Sequence, residues 1–375
     1  MTTNKQIFYV FLMCISFLLV SCGKDSVVSY VPVTGWVIGT ATDEDTGIPT
    51  PEVLKTTNGG ATWTLQSLPA ECVGFQGNDI SAVNHQVAWA AIGDLYSLEG
   101  GIVHTLDGGA TWAMQTLPDG MGNRHIKGIK GVSAMEAWAV SIGGDVLHTT
   151  DGGNNWYIVP TRTVSGEVIT MTMVNRMDVT DSNIWIVDVP AHNMGVIHSP
   201  DGGQTWRHEQ LPDVGSGHGP LAISAFSSLV AYVSVNSEGT LWWTSNGGES
   251  WNKSVDAISG TADFDEICAS STNVVWVAMN NGGSSGGLAA RITVTDGSFD
   301  SNIYMNVDYM MEGISAMNDT NAWLVGFKTF RADPSLPKGA IYVTYDGGVN
   351  WQLQTLPDNA CDIDLWKVSF VGARR

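Results

Sequence analysis

Apolar positions along this chain come in short runs, four or five residues long, rich in β-branched and aromatic side chains and parted by Gly, Asn and Asp. One stretch shows the unit. Ile129-Lys130-Gly131-Val132-Ser133 is followed by Ala137-Trp138-Ala139-Val140, by Asp145-Val146-Leu147-His148-Thr149, and by Trp156-Tyr157-Ile158-Val159, closed by Pro160. Runs of this length between turn residues predict four strands, with the turn Asp151-Gly152-Gly153 between the third and the fourth.

The unit repeats. The turn and the Trp that follows it return as Asn58 to Trp63, Asp107 to Trp112, Asp151 to Trp156, Asp201 to Trp206, Asn246 to Trp251 and Asp346 to Trp351, with a worn copy at Asp296-Gly297-Ser298-Phe299. From 58 to 346 these make six intervals of about 48 residues, a period that marks a repeat architecture. The first strand returns as Ile80-Ser81-Ala82-Val83, Ile223-Ser224-Ala225-Phe226, Ile267-Cys268-Ala269-Ser270 and Ile314-Ser315-Ala316-Met317. A Trp or Tyr follows nine residues after each Ile: Trp89, Tyr232, Trp276 and Trp323, as Trp138 follows Ile129. A last copy, Val368-Ser369-Phe370-Val371, stops without its second strand, and that strand stands at the other end as Gly35-Trp36-Val37-Ile38-Gly39. The expected fold is all-β: a seven-bladed β-propeller of four-stranded antiparallel blades over 35–375, its ring closed by N- and C-terminal strands sharing one blade.

Composition changes this picture at three points. The chain has 37 Asp plus Glu against 17 Lys plus Arg, a surface that repels phosphate backbones, so no nucleic-acid partner is expected. Lys5 precedes an apolar run from Ile7 to Val20, too short to span a bilayer as a helix but suited to the core of a signal peptide. The run ends Leu19-Val20-Ser21-Cys22, which resembles the lipobox of bacterial lipoproteins. That resemblance implies a leader over 1–21, lipidation at Cys22, a tether over 22–34, and Gly23 suits the outer membrane, facing periplasm or cell surface. Membrane attachment is then through the lipid alone. The exported compartment permits disulfides. Cys268 lies in an apolar strand as a buried thiol, while Cys72 and Cys361 follow fourth strands at matching places beside the ring closure. Two readings of that pair stand open: a bridge stapling the ring, or two unpaired thiols too far apart to bond.

The repeated turn resembles the Asp-box of the sialidase, sortilin and xyloglucanase propellers, Ser/Thr-x-Asp-x-Gly-x-Thr-Trp, with full copies from Thr105, Thr149, Ser199 and Thr344. The Asp-Gly-Gly form with Trp-Ala-Val-like second strands is most similar to the photosystem II assembly factor family. The motif's physics is structural. Asp107, Asp151, Asp201 and Asp346 are placed to accept backbone N–H groups in a turn, the glycines permit positive φ, and Trp112, Trp156, Trp206 and Trp351 bury a large face against the sheet. The resemblance places these boxes on the rim, away from the usual binding face.

No catalytic residue, metal or cofactor is expected. The chain lacks a sialidase's Phe/Tyr-Arg-Ile-Pro segment, and its six internal arginines form no evident clamp. His104, His148 and His198 each stand three residues before a box Asp, one structural position on three blades rather than a ligand cluster. Xyloglucanase-like enzymes resemble two such propellers in series. What remains is the face made by loops entering first strands and by loops between second and third strands. Candidates there are Asp79, Arg124, His125, Lys127, Asp265, Glu266, Glu312 and Asp364, an acidic mouth with a basic sector at Arg124-His125-Lys127. The long loop from Lys328 to Lys338 adds Phe330 and Arg331. The expected function is that of a monomeric, non-catalytic interaction or assembly scaffold for an unknown protein. The alternative is a glycan-binding or glycoside-hydrolase-like propeller.

Overall fold

The computed structural model describes residues 33–371, apart from 95, 189–194, 213, 215–219, 236–238, 255–262, 281–285, 296–297, 307 and 330–331. The leader, Cys22, Phe330, Arg331 and the worn turn at Asp296-Gly297 therefore lie outside the described residues. Among the described residues no helix is long and apolar enough to cross a membrane.

Seven four-stranded antiparallel sheets form a propeller, each sheet one blade. Blade 1 joins Ile363–Phe370 from the C-terminal end to Gly35–Thr42, Pro49–Thr56 and Thr64–Gln66, so both ends of the propeller share one sheet. Blades 2 to 7 follow in chain order, and their innermost strands are Gln76–Ala82, Ile126–Gly131, Val174–Thr180, Pro220–Ala225, Asp263–Ala269 and Tyr309–Ala316. The core is seven apolar clusters, one between each pair of neighbouring blades. Ile38, Val53, Ile80, Ile92 and Trp112, for example, fill the gap between blades 1 and 2.

The six Asp-boxes show why the turn repeats. In blade 2, Thr105 Oγ1 donates to Asp107 Oδ1 at 2.9 Å and accepts from Gly109 N at 2.8 Å, while Thr111 N donates to Asp107 Oδ1 at 2.9 Å. Gly108 and Gly109 have φ of 77° and 86°, a left-handed pair that side chains resist. The turn aims its Trp into the preceding blade. Trp112 stands edge-on to Trp36, and Trp156 to Trp89, with centroids 5.7 and 5.8 Å apart. Trp251 meets Trp185 and Trp351 meets Trp276 in the same way. Each such pair adds roughly 0.5–1.5 kcal/mol beyond the area it buries. The box is thus the fastener between blades. The three histidines belong to the same layer: His104, His148 and His198 lie flat on Trp89, Trp138 and Trp185, their partners across the sheet, at 3.5, 3.7 and 3.5 Å.

Cys72 and Cys361 are both free thiols, so of the two readings the unpaired one holds in this structure. Their matching positions explain this. The two residues occupy nearly the same phase of neighbouring blades, Cys72 ending the short helix Ala70–Cys72 and Cys361 following Asp358–Ala360, and sheets packed face to face lie about 10 Å apart. A disulfide needs Cα atoms within about 7 Å. Cys72 is instead buried in the cluster between blades 1 and 2, where burial pushes its thiol up to about 11. Cys268 is buried, as its strand predicted.

Candidate functional site

Every inner strand carries a bulge near its start. The register slips between Gly77 and Asp79, Ile126 and Gly128, Val174 and Arg176, Pro220 and Ala222, Phe264 and Glu266, and Met311 and Gly313. In blade 1 the slip falls opposite Ile38 and Gly39 and skips Trp366. Bulges re-aim side chains at the rims of closed sheets. Here seven of them set a ring of residues around the central channel: Asp79, Gly128, Arg176, Ala222, Glu266, Gly313 and Lys367. Four charged residues alternate with three small ones. Gly313 cannot be larger, because a Cβ there would lie 2.7 Å from the Trp366 carbonyl oxygen.

The alternation lets charges reach over the small residues. Arg176 Nε donates to Glu266 Oε2 at 3.1 Å, past Ala222. Lys367 Nζ pairs with the same oxygen past Gly313 and donates to the Glu312 carbonyl at 2.9 Å. Burial alone would raise the Glu266 carboxyl, but Lys367 and Arg176 outweigh it and hold it below the usual carboxylate range. Asp79 has no such cation in contact. It accepts Ile80 N at 2.8 Å and Ile129 N at 2.9 Å, and burial pushes it up to about 6. Lys127, the extra residue of the blade 3 bulge, faces the charges of Arg176, Lys367, Asp79 and Glu312. Burial, and then its two cationic neighbours, pull it down to about 7. Asn280 completes the mouth: its Nδ2 donates to Asp265 Oδ2 and to Glu312 Oε1, both at 2.9 Å.

Two residues further along, the same strands form a second ring that fastens the channel. Ser81, Asp178, Ser224, Cys268, Ser315 and Ser369 each accept a backbone N–H from the next blade, those of Gly131, Ala225, Ala269, Ala316, Phe370 and Ala82. The seventh position is Lys130, which cannot accept and ion-pairs with Asp178 Oδ1 at 2.7 Å instead. These are the second residues of the repeated Ile-Ser-Ala run.

The candidates named from sequence thus divide. Asp79, Lys127, Asp265, Glu266 and Glu312 converge on the channel mouth. Arg124 and His125 do not join Lys127 as a basic sector: Arg124 Nη2 donates to the Leu117 carbonyl at 3.3 Å, and His125 is buried against Asn78 with its pKa lowered by burial. Asp364 stands opposite Thr40, raised by burial and partly offset by Lys338 and Lys328. The cations that meet Lys127 are Arg176 and Lys367, which sequence reasoning missed. Their signal was positional, since each immediately precedes the apolar residue that opens the repeated inner-strand run.

Residues 125–284, which span blades 3 to 5 and part of blade 6, match the family described as Photosynthesis system II assembly factor YCF48. Together with seven blades and six boxes, this decides the class. The chain is a BNR-type repeat propeller that resembles the photosystem II assembly factor. Solved YCF48 structures share the propeller's fold. One, "YCF48 bound to D1 peptide", is 17% identical with a TM-score of 0.55, covering 85% of this chain and 98% of its own. Another, from Cyanidioschyzon merolae, is 14% identical with a TM-score of 0.58, covering 78% and 93%. The GH74 enzyme of Niastella koreensis is 13% identical with a TM-score of 0.50, and the propeller covers 60% of that chain. No curated protein matches.

Proposed function

We propose that this propeller is an exported, lipid-anchored scaffold that binds a polar segment of another protein across its channel mouth, without catalysis. One observation carries the reading. Four carboxylates that converge on the mouth are all engaged, Glu266 by two cations, Asp79 by two backbone N–H groups, and Asp265 and Glu312 by Asn280. The Lys127 ammonium has no such partner among the described residues and faces a wall that already holds two cations. A half-buried charge with no partner is a place where a ligand can supply one. The YCF48 structure with a bound peptide supports a protein segment as the ligand class on this fold. The Cys22 lipobox supports anchoring at the outer membrane.

The glycan reading keeps one supporting observation. Asp79, near 6, and the ionised Glu266 would make one acid and one base. Both are already committed, Glu266 to Arg176 and Lys367, so the binding reading is the better supported. The test is expression with the lipobox intact, beside a Cys22→Ser form, followed by crosslinking in the outer-membrane fraction. A stoichiometric protein that is lost from that fraction with Cys22→Ser supports the proposal. Retained polysaccharide without a protein partner contradicts it.

A further inference from the structure

The outer edge of blade 6 differs from every other edge of the ring. The outermost strands of the other six blades are two to four residues long: Thr64–Gln66, Ala113–Met114, Tyr157–Val159, Arg207–Gln210, Asn252–Lys253 and Gln352–Leu353. In blade 6 the outermost strand is Ser298–Asn306, nine residues, and no strand of the sheet lies beyond it. The cause is the missing box. Elsewhere the Asp-box and its Trp consume the chain between third and fourth strands. Here Thr295 pairs directly with Ser298, and the ladder runs on without a slip to Gly287 and Asn306.

Propellers stay soluble because their free edges are short and protected. The strand's own sequence and ladder carry none of the usual protections. The strand contains no Pro, Gly, Lys or Arg, its only charge is Asp300, and its ladder has no bulge. It is held in place from one side, where Tyr304 packs against Tyr342 and Trp351 of blade 7 with both centroid distances 5.9 Å. Its neighbour Ile303 is 49% exposed. In an antiparallel edge strand every second residue turns its N–H and C=O away from the ladder. The edge therefore offers a row of main-chain donors and acceptors on a fixed support.

We propose that Ser298–Asn306 is a second interaction surface, on which an extended, neutral or basic segment of a partner protein adds as a fifth strand of blade 6. Main-chain bonds supply the affinity in this mode and side-chain pockets the selectivity. Charge selects the occupant: a formal net charge of −20 opposes a second copy of this chain and favours a segment without acids.

Backbone pairing has a direct test in the full chain, by hydrogen exchange. The probe is an alternating Thr-Val peptide with flanking lysines, compared with the same peptide N-methylated at alternate amides. The proposal expects slowed exchange over 298–306 with the parent peptide, none with the methylated one, and none in the short outer strands. No slowing, equal slowing by the methylated peptide, or equal slowing at every blade edge would overturn it. Slowing by the protein alone, growing with its concentration beside a dimer in sedimentation, would assign the edge to a second copy and overturn it too.

Discussion

The rim and the mouth of this propeller are built by opposite rules. At the rim one solution is repeated: in six blades a Thr or Ser hydroxyl accepts the N–H of the second glycine of the turn, and the turn sets a Trp behind it. At the mouth the charged positions differ from blade to blade, and the ion pairs of Glu266 with Arg176 and Lys367 each reach past an intervening blade. Repetition marks what every blade must do, which is to hold the next one. Variation marks what the ring does once, and it falls where seven bulges deliver side chains to one place.

The largest effects should separate these two constructions. Trp156→Ala at the rim empties a blade interface and should cost about 3–5 kcal/mol in urea unfolding. Glu266→Ala at the mouth strands Arg176 and Lys367 without their anion and should cost a similar amount, about 3–5 kcal/mol. The two then part. Replacing Glu266, Arg176 and Lys367 together by Met should restore most of the lost stability, because removing a whole buried ion cluster is often neutral. No companion substitution should restore Trp156→Ala.

Their pH responses should have opposite signs. At the rim, hydrogen bonds from Thr111 hold Asp107 at about 2, below its unfolded value of 3.8. Its contribution is present above pH 3.8 and is lost as pH falls through 2. At the mouth, burial holds Asp79 at about 6, so its contribution is present below pH 3.8 and is lost as pH rises through 6. Urea midpoints against pH check this: Asp107→Asn should flatten the acid limb, and Asp79→Asn the limb between pH 4 and 6. Reversed assignments would break the contrast.

A smaller effect tests the second ring. Ser369→Ala removes the acceptor of Ala82 N where the chain's last strand closes the ring, and should cost about 1 kcal/mol. Loss well beyond that would mean that closure rests on this bond rather than on the packing of Trp36, Ile38 and Ile80.

Sequence and structure agree where the repeat speaks. The blades, the shared closing sheet and the structural role of the boxes were legible because each recurs at a constant phase, while the blade that each Trp enters was not. The Ile-Ser-Ala run was visible too, but its use was not, since a Ser in a strand does not show which blade's N–H it meets. The charged ring was hidden for the opposite reason. Arg176 and Lys367 lie 90 and 101 residues from Glu266, and only closure of the ring brings them to one oxygen. Cys72 and Cys361 stay unpaired because nearly equal phase in a repeat separates residues by a blade. Arg124 and His125 lie near Lys127 in sequence, but the bulge turns Lys127 alone toward the channel charges.

The smallest effect on stability bears most directly on function. Lys127→Met removes a desolvated cation with no partner among the described residues, so the fold should lose no stability. A photo-crosslinking residue placed at the exposed Tyr96 on the mouth face, or at Val349 on the rim, reports which face holds a partner in the native host. The account predicts a protein crosslinked from position 96 and not from 349, and its loss with Lys127→Met. Equal capture from 349, or capture from 96 that ignores Lys127→Met, would contradict it.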